Sequence, residues 1–122
     1  MGKEEEEDMS DCIFCKIVVG DIRADVVYSD DQVVAFRDIN PQAPVHVLVV
    51  PRRHMESIFD LEEGDGDLLW AVFRAIREVA EREGIAERGV RVVTNVREEA
   101  GQSVFHLHFH VLGGRRMAWP PG

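Results

Sequence analysis

Apolar and polar residues along the chain change period several times, and each change predicts an element. Ile13-Phe14-Cys15-Lys16-Ile17-Val18 reads as a short helix stopped near Gly20-Asp21. Val26-Val27-Tyr28 and Gln32-Val33-Val34-Ala35-Phe36 flank Ser29-Asp30-Asp31, which is the composition of a β-hairpin around its turn. Asp38-Ile39-Asn40-Pro41-Gln42-Ala43-Pro44 is a loop, because its prolines bias the chain away from helix. His46-Val47-Leu48-Val49-Val50 is a nearly continuous apolar run of the kind found in a buried strand, and Pro51-Arg52-Arg53-His54 ends it. Leu68, Leu69, Val72, Phe73, Ile76, Val79 and Ala80 recur at three- and four-residue spacing and predict one long amphipathic helix. Asp65 or Asp67 can cap its start, and Gly84 can end it in the left-handed conformation. Val90 to Thr94 is a strand, Val96 to Ser103 a polar loop, and Val104 to Leu112 the last strand. Strands before and after a single long helix predict an α+β fold with a mainly antiparallel sheet.

Composition narrows the class. A length of 122 residues, 45% hydrophobic and 30% charged, suits one globular domain. No apolar run approaches the ~20 residues that cross a membrane, and the start Met-Gly-Lys-Glu-Glu-Glu-Glu-Asp is unlike a signal peptide. Two cysteines cannot build a disulfide framework, so a soluble, cytoplasmic protein with no membrane association is expected. The net charge is −9, and residues 3–8 carry much of it. Residues 1–10 are therefore expected to form a solvated, disordered acidic tail, with a folded domain over 11–122. An acidic domain without a basic stripe is a poor ligand for long nucleic acid, whereas a single nucleotide needs only a few local donors.

The chemistry concentrates in Phe105-His106-Leu107-His108-Phe109-His110-Val111-Leu112. On a strand, side chains alternate, so the three imidazoles share one face and the apolar residues point into a core. Such a row suits metal binding or nucleotidyl transfer, since neutral imidazole is a competent nucleophile near pH 7. Gly101-Gln102-Ser103 precedes the row and supplies neutral donors fit for phosphate oxygens, with no carboxylate for a metal. That favours phosphate. Cys12 and Cys15 form a C-x-x-C pair that could be redox-active, metal-binding or without a role, and a redox role would want a helix N-terminus that is not evident. Trp70 and Phe73 read as core or interface residues, and Arg115 and Arg116 as solvated or dimer-contact residues.

His106-Leu-His108-Phe-His110-Val-Leu112 resembles the motif of the histidine triad (HIT) family. Cys12-Ile-Phe-Cys15-Lys-Ile17, Asp38 to Pro44, His46 before an apolar strand and Pro51-Arg-Arg-His54 extend the resemblance. So do Gly101-Gln-Ser103, Gly113-Gly114-Arg-Arg-Met117 and Trp119-Pro120-Pro121-Gly122, which point to the histidine triad nucleotide-binding branch. The likeness runs from about Cys12 to the end.

This resemblance implies a HIT-like fold whose protomers pair into a homodimer with a continuous sheet, Trp119 reaching toward the partner's site. It implies hydrolysis of purine nucleoside 5′-phosphoramidates through a covalent nucleotidyl-histidine, releasing AMP. His108 matches the nucleophile, His110 the ring on the α-phosphate, and His46 the residue that positions the catalytic imidazole. Ser103, Gln102 and Asn95 match groups that hold phosphate or leaving group. Asp38 matches the carboxylate on the ribose hydroxyls, and Ile39 lies beside the base. Bacterial members bind zinc with residues matching Cys12, Cys15, His54 and His106, a structural site with all four positions filled by protein; no organic cofactor is implied. Dinucleoside polyphosphate hydrolysis, a metal-dependent hydrolase and a nucleotide-sensing or zinc-binding scaffold are the rival readings.

Overall fold

The computed structural model describes residues 11–122; the expected acidic tail lies outside the described residues. Among them, α1 (Ile13–Val18) leads into β1 (Val26–Ser29), β2 (Val33–Arg37) and β3 (Val45–Pro51). The long α2 (Gly66–Arg82), β4 (Arg91–Val93), a short α3 (Arg97–Ala100) and β5 (Phe109–Gly113) follow. The strands form one antiparallel sheet in the order β1-β2-β3-β5-β4, so the fold is α+β as the sequence predicts. No helix among the described residues is long and apolar enough to cross a membrane.

Local chemistry explains the elements. Asp30 closes the β1–β2 turn by accepting from the backbone N–H of Gln32 and of Val33, both at 2.8 Å. At the end of α2, Gly84 adopts φ +75°, and the N–H of Ile85 reaches the Ala80 carbonyl at 3.0 Å. This wrap-around bond satisfies a carbonyl the helix leaves free and drops Ile85 into the core.

Alternation across the sheet gives two packed faces. Val33, Ala35, Val47, Val49, Phe109 and Val111 meet Val72, Ala75, Ile76 and Val79 of α2. Each fully buried Val or Ile there contributes about 1.5–3 kcal/mol. The opposite face carries Val34, Phe36, Leu48 and Val50 and is covered by Phe14 of α1. That second, thinly covered face holds the histidines.

Three expectations are corrected. Neither Asp65 nor Asp67 caps α2 with its side chain; the Asp65 carboxylate accepts from Glu62 N–H at 2.9 Å instead, closing a 3-10 turn that leads into the helix. The polar loop 96–103 contains the single turn of α3. The last strand starts at Phe109, not Val104, because β4 offers only Arg91–Val93 as partners and Leu107 N–H bonds Met55 O at 2.7 Å. Residues 104–108 thus run beside the segment after β3, outside the ladder.

Candidate active site and metal centre

The register brings β3 and β5 histidines together. Leu48 pairs with His110 and His46 with Leu112, which makes His46 and His110 diagonal neighbours on one face. His46 Nε2 and His110 Nδ1 lie 2.8 Å apart. Gln42 N–H donates to His46 Nδ1 at 3.0 Å, so that nitrogen carries no hydrogen and Nε2–H donates to His110 Nδ1. His110 is left with its proton on Nε2. Asp38 joins them, with Oδ2 at 3.5 Å from His46 Nε2 and Oδ1 accepting from Asn40 N–H at 2.8 Å. Asp38, His46 and His110 are close enough to be considered as a cation cradle. The 2.8 Å separation of the two ring nitrogens is that of a hydrogen bond, shorter than the roughly 3.3 Å between two nitrogens on one tetrahedral zinc.

His108 is buried, and its Nδ1–H donates to the His106 carbonyl at 2.7 Å. Nε2 therefore holds a free lone pair. The His108 peptide is pinned on its other side by Thr94, whose hydroxyl donates to the His108 carbonyl at 2.8 Å where the β4 ladder has stopped. His108 and His110 rings meet edge to face with centroids 5.1 Å apart. Burial lowers the pKa of His46, His108 and His110, against the opposing pull of the Asp38 carboxylate, and takes His110 to about 4. All three rings are neutral at pH 7.

His106 has turned to a different task. It is fully buried, and its Nε2–H donates to the Pro51 carbonyl at 2.8 Å, which leaves Nδ1 free. Nδ1 faces Cys12 Sγ at 3.3 Å, Cys15 Sγ at 3.5 Å and His54 Nδ1 at 3.2 Å. Cys15 Sγ to His54 Nδ1 is 3.3 Å. Tetrahedral zinc at ordinary bond lengths would space nitrogen pairs by about 3.3 Å and nitrogen–sulfur pairs by about 3.5 Å. The four donors fit such an ion. Burial pushes His106 down to about 4, keeping it neutral as a ligand must be. Burial and the neighbouring Cys12 push the Cys15 thiol up to about 12, a penalty that a dication on the sulfur would reverse. Cys12 is the N-cap of α1 and accepts from Cys15 N–H at 3.3 Å, so the pair stands at the N-terminus of the short helix read at 13–18, a feature not evident for it from sequence.

The remaining residues surround these two centres. Both hydrogens of the Gln102 carboxamide go to carbonyls, of Glu56 at 2.6 Å and Val104 at 3.1 Å, while its oxygen accepts from Arg97 N–H at 2.7 Å. Gln102 is thus a tie for the loop that presents the exposed Ser103, with no hydrogen left for a phosphate. Asn95 is half-buried just past β4, and Ile39 is fully exposed on the loop after Asp38. Trp70 and Phe73 are half exposed on α2, Phe73 stacking edge-on with Phe109. Sequence reasoning missed Phe14, which meets His108 edge-on at 5.1 Å and His106 at 6.0 Å. Its place between the two cysteines was the available signal. Thr94 carried no such signal, since its bond depends on where β4 ends.

The family model described as HIT domain matches residues 19–117. The chain belongs to the HIT family. A "14 kDa zinc-binding protein" of Brassica juncea is 46% identical over 114 residues, covering 92% of this chain and 100% of that one. An uncharacterized HIT-like protein of Synechococcus elongatus is 46% identical over 112 residues, with coverage of 92% and 97%. Among solved structures, a HIT family hydrolase from Legionella pneumophila Philadelphia 1 superposes with a TM-score of 0.89 at 47% identity, covering 92% of this chain and 100% of that one. A HIT family hydrolase from Clostridium thermocellum follows at 0.86 and 44%, with 88% and 94% covered.

Proposed function

We propose that this HIT protein is a hydrolase of the nucleotide-binding branch, cleaving the P–N bond of purine nucleoside 5′-phosphoramidates to release a nucleoside monophosphate. One observation carries the reading: His108 spends Nδ1–H on the His106 carbonyl, so its buried, neutral ring presents Nε2 as a nucleophile. In the first step that lone pair bonds to phosphorus and the P–N bond breaks toward nitrogen. The departing amine needs a proton, which the Ser103 hydroxyl can relay from solvent. Water then cleaves the phosphorus–imidazole bond, yielding AMP and neutral His108, one water consumed overall. His110 Nε2–H donates to a phosphate oxygen, a preorganised donor where negative charge grows. Asp38 accepts from the ribose hydroxyls, Ile39 covers the base, and Asn95 and Ser103 bind the phosphate side. Gln102 contributes by holding the Ser103 loop.

Cys12, Cys15, His54 and His106 are proposed to hold one Zn²⁺ that ties α1 to the chain before β5. With four protein donors it supplies cohesion and no open coordination position. The zinc-binding name of the Brassica juncea relative and the hydrolase descriptions of the solved structures support these readings. We further propose a homodimer that places Trp119 at the partner's site; Trp119 is exposed in the protomer. Turnover of a fluorescent adenosine phosphoramidate beside a dinucleoside polyphosphate, with and without a chelator, tests the function. Preference for the polyphosphate would reassign the substrate, and abolition by brief chelation would favour metal-dependent hydrolysis.

A further inference from the structure

The residues after β5 reach the site by a route the reaction scheme does not use. Gly113, which ends β5, and Gly114 carry the chain into a turn that only glycine fits. A Cβ on Gly113 would stand 2.7 Å from Ile85 Cδ1, and one on Gly114 would stand 2.9 Å from Pro44 Cβ, at φ +90°. The turn is thereby pressed against the loop 38–44, and Arg115 is laid over it. Arg115 Nε and Nη2 both donate to the Gln42 carbonyl, at 3.2 and 3.1 Å, and Nη1 donates to the Arg116 carbonyl at 3.1 Å. Among the described residues no carboxylate lies within ion-pair distance of this guanidinium, so its anchorage is to carbonyls.

We infer that Arg115 is a positioning residue for the His46–His110 pair, acting through Gln42. The connection is a chain of directed hydrogen bonds. Arg115 fixes residue 42, whose N–H donates to His46 Nδ1 and so dictates the His46 tautomer. That tautomer places a hydrogen on Nε2, between His110 Nδ1 at 2.8 Å and the Asp38 carboxylate at 3.5 Å. His110 must then keep its own hydrogen on Nε2, the atom offered to the phosphate. In the opposite tautomer His46 Nε2 would set a lone pair against that carboxylate, and His110 would lose its outward donor. Two neutral tautomers of an imidazole differ little in energy in water, so a single donor held in place decides between them. Gln42 Nε2 also donates to Asn40 O at 3.0 Å, stiffening the loop from within, while the Arg115 bonds tie residue 42 to the chain leaving β5. Asp38 is anchored separately, by its own N–H on the His46 carbonyl at 3.0 Å in continuation of the β2–β3 ladder.

This inference rests on the proposed role of His110 at the phosphate, but its decisive readout does not. In full-length, zinc-replete protein labelled with ¹⁵N-histidine, long-range ¹H–¹⁵N spectra at pH 7 should show wild-type His46 as the single Nε2–H tautomer. In Arg115→Ala the two His46 nitrogens should move toward each other in shift as tautomers mix. kcat should fall about tenfold, while KM changes less than threefold because Asp38 keeps its anchor. Arg115→Lys, which retains a charged donor, should restore most of the His46 signature and of kcat. Unchanged His46 shifts in Arg115→Ala would overturn the inference whatever the activity. If the wild type cleaves no phosphoramidate, the functional reading fails while the tautomer result still stands or falls by itself.

Discussion

His108 and His110 differ in one respect that decides their chemistry, the nitrogen on which each keeps its hydrogen. His108 holds it on Nδ1 and offers a lone pair; His110 holds it on Nε2 and offers a donor. His108→Ala should therefore abolish turnover and leave AMP binding and the fold largely intact, checked by kinetics alongside calorimetric titration. Asp38→Ala should weaken AMP by roughly 1.5–3 kcal/mol, the range for hydrogen bonds to a charged group, and equal wild-type affinity for AMP and its 2′,3′-dideoxy analogue would refute the ribose assignment. Thr94→Val keeps the shape but removes the donor to the His108 carbonyl. A loss of about 1 kcal/mol in denaturant unfolding is expected, with kcat reduced more than KM is raised. The alternation of the three histidines was legible in the sequence, and the family resemblance named Asp38 and His46, which the fold brings to His110. The individual tautomers of the three were not legible, because two of them depend on segments distant in sequence: the Pro51 carbonyl for His106 and the His46 ring, itself oriented by Gln42 N–H, for His110.

At the scale of elements, periodicity read correctly wherever one element packed on another in full. The α2 stripe and the β3 run are long enough that burial settles them, and the Asp30 turn and Gly84 stop are local chemistry. The last strand was read too long because strand-like alternation continues from Val104, while pairing depends on partners the sequence does not announce. The short helix at 13–18 was legible from its apolar spacing, but that Cys12 would cap it was not: α1 is only six residues long and owes its seat to Phe14 against the sheet. Zinc would bind α1 to the segment before β5, which Phe14 already meets at His106 and His108. Replacing Cys12 and Cys15 together by Ser should lower the melting temperature and spare most activity, since neither His108 nor His110 is a ligand. Metal analysis of protein purified without added zinc should give about one Zn²⁺ per chain; a stoichiometry near zero with free thiols would contradict the site.

The molecule as a whole should answer to acid through its buried imidazoles. His46 and His110 have folded pKa values lowered by burial, His110 to about 4, while an unfolded histidine titrates near 6.5. Between those values the unfolded chain binds protons the folded chain refuses, so their contribution is fully present above pH 6.5 and is lost as pH falls toward 4. Melting temperature should rise across that window and then level off, and His110→Gln should flatten part of the rise. The two faces of the sheet also divide the labour: α2 supplies most of the apolar burial on one, leaving the other free to carry a row of polar rings. The central claim is that His108 becomes covalently nucleotidylated during turnover, and wild-type protein denatured at alkaline pH, where a phosphorus–imidazole bond survives, in the first turnovers on an adenosine phosphoramidate tests it most directly. Intact-mass analysis should show one added adenylyl group, mapped by peptide sequencing to His108 and missing from His108→Ala. No adduct at any time, together with His108→Ala retaining a tenth or more of wild-type kcat, would contradict it.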